Sequence, residues 1–111
     1  MNECELCINE SLVEHKISYK GKEYVFKLRV LPWVKIEELR SNYIIINSRT
    51  GITKLKEAEY QMALLKEAIV EGPFKEEEKE VFLSKLKLDV KDELIKIIKE
   101  MHELDDETTK N

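Results

Sequence analysis

Glycine and proline are scarce in this chain, with three and two residues among 111. Three glycines leave little material for a loop that cradles phosphate with successive backbone N–H groups, because such nests need cheap positive φ. No G-x-S-x-G, no H-E-x-x-H and no phosphate-loop pattern occurs. Apolar runs stop at four residues, as in Tyr43–Ile46, far short of a bilayer span. The opening "MNECELCINE" carries acidic residues where a secretory signal needs positive charge, so a cytoplasmic location is expected. No block of basic residues stands out, and the net charge is −4. A nucleic-acid binder normally carries a basic face, so nucleic acid is not expected as a partner.

What the chain does have is a high charge content, 38%, beside 42% hydrophobic residues. This balance fits a folded protein with a heavily ionised surface and not a disordered one. The residues "VEHKISYKGKEYVFKLRV" alternate apolar and polar on both sides of Gly21. Val13, His15, Ile17 and Tyr19 on one arm and Tyr24, Phe26, Leu28 and Val30 on the other predict a β-hairpin with one apolar face. Such a ribbon is marginal alone and needs a partner layer.

Helical spacing follows. Pro32 opens a helix expected to run to about Ile45, with Trp33 anchored in the core. The stretch Tyr43-Ile44-Ile45-Ile46 suits a short strand equally well. Thr53 is expected to cap a second helix with the stripe Leu55, Ala58, Met62, Leu65 and Ile69. Gly72 and Pro73 are expected to end that helix, with Phe74 folding back on its last turn. A short third helix with Phe82, Leu83 and Leu86 inward, and a fourth capped by Asp89 with Val90, Leu94, Ile97, Met101 and Leu104, complete the pattern. The expected fold is α+β, an N-terminal β-hairpin packed on a bundle of about four α-helices. Residues 1–12 form a polar leader with a Cys pair, residues 13–104 a single α+β domain, and residues 105–111 an acidic-polar tail.

Chemistry is hard to find. Cys4 and Cys7 have C-x-x-C spacing, which is half of a zinc site or a redox pair. No second C-x-x-C and no His pair accompanies them, so they read as free thiols. The alternative is a small metal-binding or regulatory protein that uses Cys4 and Cys7. His15 and His102 lack any accompanying motif and read as half-buried or surface histidines. The carboxylates of "KEEEKE" and "KDEL" are interleaved with lysines, as on solvated helix faces. No cofactor and no catalytic residue is expected. The apolar surplus is more informative. Tyr43, Ile44, Ile45 and Ile46 cannot all face one core in a regular conformation. They are candidates for partner contact, together with Phe74, unless the segment is buried on two sides.

The order of the pieces, "YKGKEY", "VLPWVKIEEL", "INSRTGI", "AIVEGPF" and "FLSKLKLDVKDELIKIIKEMHEL", resembles the tail assembly chaperones of long-tailed phages and related proviral elements. The resemblance covers about residues 13–109. It implies a non-enzymatic chaperone that coats a long helical tape-measure protein during tail assembly, keeps it soluble and leaves before the particle is complete. It further implies self-association into a homo-oligomer, and tail-tube subunits as a second partner. In that family a longer product arises by frameshift, and this chain resembles the shorter one. The expected binding mode is helix-in-groove, with apolar stripes buried on both partners.

Overall fold

The computed structural model describes residues 11–104. Its first element is the expected hairpin, β1 (Val13–Tyr19) and β2 (Lys22–Leu28), paired antiparallel with Ile17 opposite Tyr24 and His15 opposite Phe26. Lys20 (φ 52°) and Gly21 (φ 79°) form the two-residue turn. Two positive φ values in succession match the strand twist, and Gly21 adopts its value without strain. The fold is α+β: among the described residues the hairpin is followed by four α-helices and three further short strands.

Those strands account for most of the differences from the sequence pattern. Helix α1 (Trp33–Asn42) ends at Asn42 and does not reach Ile45. Tyr43 N–H closes on Arg40 O at 3.1 Å, and β3 (Ile44–Ile46) then pairs with β4 (Thr53–Leu55). Three successive β-branched residues are restricted at χ1 in a helix and fit an extended pleat, and their pairing with Thr53–Leu55 decides the segment 44–46 for a strand. Thr53 is therefore a strand residue and not a cap. Helix α2 (Glu57–Ala68) starts four residues later, with Glu57 and Glu59 in its first turn favoured by the macrodipole. Its buried face is Tyr60, Ala63, Leu64, Leu65 and Ala68. Ala58 is exposed, and Leu55 belongs to β4. The consecutive apolar residues 62–65 left that stripe's phase undetermined.

Helix α2 also stops before Gly72. From Ala68 the chain passes directly into β5 (Ile69–Glu71), which pairs antiparallel with β2 to give a sheet of order β1-β2-β5. Arg29 N–H donates to Ala68 O at 2.8 Å across that junction. The Arg29 side chain adds Nε to Glu67 O at 2.8 Å, satisfying a helix-end carbonyl. Gly72 is thus no helix cap; close packing fixes its identity. A Cβ there would lie 2.5 Å from Phe74 Cε2 and 3.0 Å from Phe26 Cδ2. Phe74 N–H donates to Gly72 O at 2.8 Å around Pro73, a γ-turn that folds the Phe74 ring back. Gly72→Ala is expected to destabilise by about 1–3 kcal/mol, the range for overpacking. In a Phe74→Ala background that cost shrinks, and a double-mutant cycle by urea unfolding measures the coupling.

A single turn of 3-10 helix, Glu76–Glu78, leads into α3 (Lys79–Ser84), and α4 is Leu88–Met101. Asp89 is the second residue of α4, after an N-terminal boundary at Lys87. Its Oδ1 accepts from Val90 N–H at 2.8 Å. The core lies between the inner face of the sheet and α2 and α4, with Phe26, Leu28, Leu64, Leu65, Ile69, Leu94 and Ile98 as its largest fully buried side chains. Leu31 joins them from the β2–α1 connection.

Candidate functional site

The apolar side chains that the fold leaves outside define the candidate surface. The β3–β4 ribbon is the densest set in sequence: Ile45 is 45% exposed, Ile46 69% and Ile52 63%. The antiparallel register sets Ile44 opposite Leu55, Ile45 opposite Lys54 and Ile46 opposite Thr53. Side chains alternate along a strand, so Ile45 projects from one face and Ile44 and Ile46 from the other. The connecting turn is built by Asn47. Its Oδ1 accepts from Arg49 N–H at 2.9 Å and Thr50 N–H at 3.3 Å, and its carbonyl accepts from Gly51 N–H at 2.7 Å. Tyr43 and Leu55 tie the root of the ribbon to the core, while its isoleucine tip stays in water.

Of the five sequence candidates, Tyr43, Ile44, Ile45 and Ile46 fall on this one element. Tyr43 also lines a groove of about 300 Å³ between α1 and α2, floored by Leu39, Met62 and Ala63 and edged by Glu59, Lys66, Glu67 and Glu80. The fold puts Phe74 in a different set of side chains. Its half-buried ring lies 5.1 Å from Phe82, and Phe82 lies 6.4 Å from Phe26. That trio seals the end of the core beneath Gly72. Cys4 and Cys7 lie outside the described residues.

Trp33 corrects an expectation. It does not enter the core but is 76% exposed, beside Val34 at 58%. The core position goes to Leu31, which precedes Pro32 and is buried. Leu31 N–H donates to His102 Nε2 at 2.7 Å, and His102 Nδ1 lies 2.7 Å from Ile98 O. A backbone N–H only donates, so Nε2 is the acceptor and the ring is the neutral tautomer with its proton on Nδ1, facing the Ile98 carbonyl. With Leu31 pinned inward, Trp33, on the first residue of α1, faces outward. The nearest hint in the sequence was the doublet Leu31-Pro32, which offers a competing anchor before the helix begins. His102→Ala strands the Leu31 N–H and is expected to lower stability by about 1–3 kcal/mol, measured by thermal unfolding.

His15 bridges in a similar way, with Nε2 2.9 Å from Glu93 Oε2 on α4. Both histidines thus hold packed elements together, His15 through Glu93 and His102 through the Leu31 N–H. Among those residues no cluster of three His, Cys, Asp or Glu side chains is placed to hold a metal ion. No described helix is long and apolar enough to cross a membrane. No protein-family model, no curated protein and no solved structure matches this chain.

Proposed function

We propose that this protein is a non-enzymatic assembly chaperone, acting in the host cytoplasm, that binds a long helical tape-measure protein and keeps it soluble during tail assembly. The observation that carries the reading is the β3–β4 ribbon, an element that spends three isoleucines on the solvent side of its own fold. A surface that ends in Ile45, Ile46 and Ile52 gains free energy only when something covers it. Burying a branched aliphatic side chain is worth about 1.5–3 kcal/mol, and these three retain roughly half of theirs to offer. Trp33 and Val34 add a second exposed pair, and tryptophan is enriched in binding hot spots. An amphipathic client helix presents apolar side chains at i, i+3, i+4 and i+7, the complement such ridges need.

Co-expression tests the reading. A tape-measure protein from the same genome is expected to be mostly insoluble alone and to be recovered in a soluble complex when this chain is present. An unchanged soluble yield with and without the chain rejects the chaperone function.

A further inference from the structure

A second surface has a different character. Burial declines along the inner face of the hairpin toward its turn: Leu28, Phe26 and Ile17 are buried, whereas Tyr24 and Tyr19 are half-buried. Beside these residues lies an open groove of about 380 Å³ between the hairpin and the α3–α4 connection. Its floor is Ile17, Tyr24, Phe26, Phe82, Leu86 and Val90. Lys85 and Lys87 edge it, and among the described residues no carboxylate lines it. In a chain with 23 acidic and 19 basic residues, that local sign is reversed.

The nearby charges reinforce it. Lys20 Nζ and Lys87 Nζ each lie 5.6 Å from the centroid of the Tyr19 ring, so two ammonium groups gather at one end of the groove. Among the described residues, Lys20, Lys85 and Lys87 take part in no ion pair. Of the acidic side chains in the first turns of α4, Asp89 accepts from Val90 N–H, Asp92 pairs with Lys91 and Glu93 meets His15.

We infer that this groove is a docking site for an acidic amphipathic segment of a partner protein. Apolar anchors of the segment lie on the aromatic floor, and its flanking carboxylates meet Lys85 and Lys87. A desolvated apolar floor supplies affinity, while the basic edge sets the sign of the partner and its orientation. The groove is open to solvent and not an enclosed cavity, which suits a polypeptide ridge. None of these residues belongs to the β3–β4 ribbon, so the site stands whether or not the ribbon binds a client.

The test uses the full chain and two fluorescein-labelled synthetic helical peptides. They share one Leu/Phe ridge; one carries Glu at the flanking positions and the other Lys. By fluorescence anisotropy the Glu peptide is expected to bind at least about tenfold more tightly, with the difference shrinking as salt rises. The double variant Lys85→Glu/Lys87→Glu changes two exposed side chains, so its thermal unfolding stays close to that of the parent. It is expected to lose about tenfold or more for the Glu peptide and to gain for the Lys peptide. Backbone amide shifts on adding the Glu peptide are expected around Tyr19, Tyr24 and Leu86 and not around Ile45 and Ile46. Equal binding of the two peptides, no binding of either, or indifference to the Lys85/Lys87 reversal overturns the assignment. Self-association of the parent that the reversal abolishes, with no peptide bound, also overturns it and gives the groove to a second copy of the chain.

Discussion

Phe26→Ala is expected to remove about 3–5 kcal/mol of folding stability, the usual cost of truncating a buried aromatic. Few other side chains here connect so many parts of the fold. Phe26 pairs across the hairpin with His15, meets the tilted ring of Phe82 of α3 at 6.4 Å, and with Phe74 bounds the space that only glycine fills at position 72. It is 2% exposed, so its removal leaves a cavity rather than a dent. A domain of this size is stabilised by only about 5–15 kcal/mol in all, so the variant sits near the edge of folding at physiological temperature. Urea unfolding shows this as a fall in midpoint without a change in slope. Tyr24→Ala, two residues away on the same strand face but half-buried at the groove, is expected to cost clearly less. Equal costs at the two positions contradict the gradient of burial along the hairpin.

The largest functional effect is expected from Ile45→Lys/Ile46→Lys. Both side chains point into solvent, so folding stability changes by no more than about 0.5 kcal/mol each. Client affinity, by contrast, loses the burial of two isoleucines. At about 0.75–1.5 kcal/mol for the exposed half of each, the two together come to about 1.5–3 kcal/mol, a loss of roughly 10- to 150-fold. Sedimentation or pull-down of the client with parent and variant measures it, and circular dichroism verifies the fold. A matching single change, Trp33→Ser, separates the two exposed apolar surfaces. If the client spans both, Trp33→Ser weakens it too; if the ribbon acts alone, Trp33→Ser leaves binding unchanged.

The hairpin was legible because period-two alternation on both arms around one glycine leaves little choice of register. The four helices were legible as elements, but not their edges, and the reasons are particular. Ile44-Ile45-Ile46 satisfies helical and extended patterns alike, and only its pairing with Thr53–Leu55 decides between them. Gly72-Pro73 is a strong stop signal, yet the helix had already ended at Ala68, because the free edge of β2 takes Ile69–Glu71 as a third strand. That pairing is nonlocal, and three residues give no periodicity from which to read it. The same holds for Leu31 and Trp33. Either is apolar enough for the core, and the His102 contact that selects Leu31 comes from 71 residues away. The ribbon of candidate contact residues was legible for a simpler reason. Four consecutive large apolar residues exceed what one core face accepts, and the surplus at Ile45 and Ile46 emerges on the surface. The lysine-edged groove was not legible, since Tyr19, Lys85 and Lys87 meet only in three dimensions.

Isoleucine methyl spectra recorded while a soluble helical fragment of the tape-measure protein is added test the role of the ribbon most directly. Ile45, Ile46 and Ile52 report the exposed surface, and Ile69 and Ile98, both fully buried, serve as internal references. The expected result is shifting and broadening of the first three signals in proportion to client bound, with the two references unmoved. Binding that leaves Ile45, Ile46 and Ile52 unperturbed, or no binding at any client concentration, contradicts the assignment of this surface to the client.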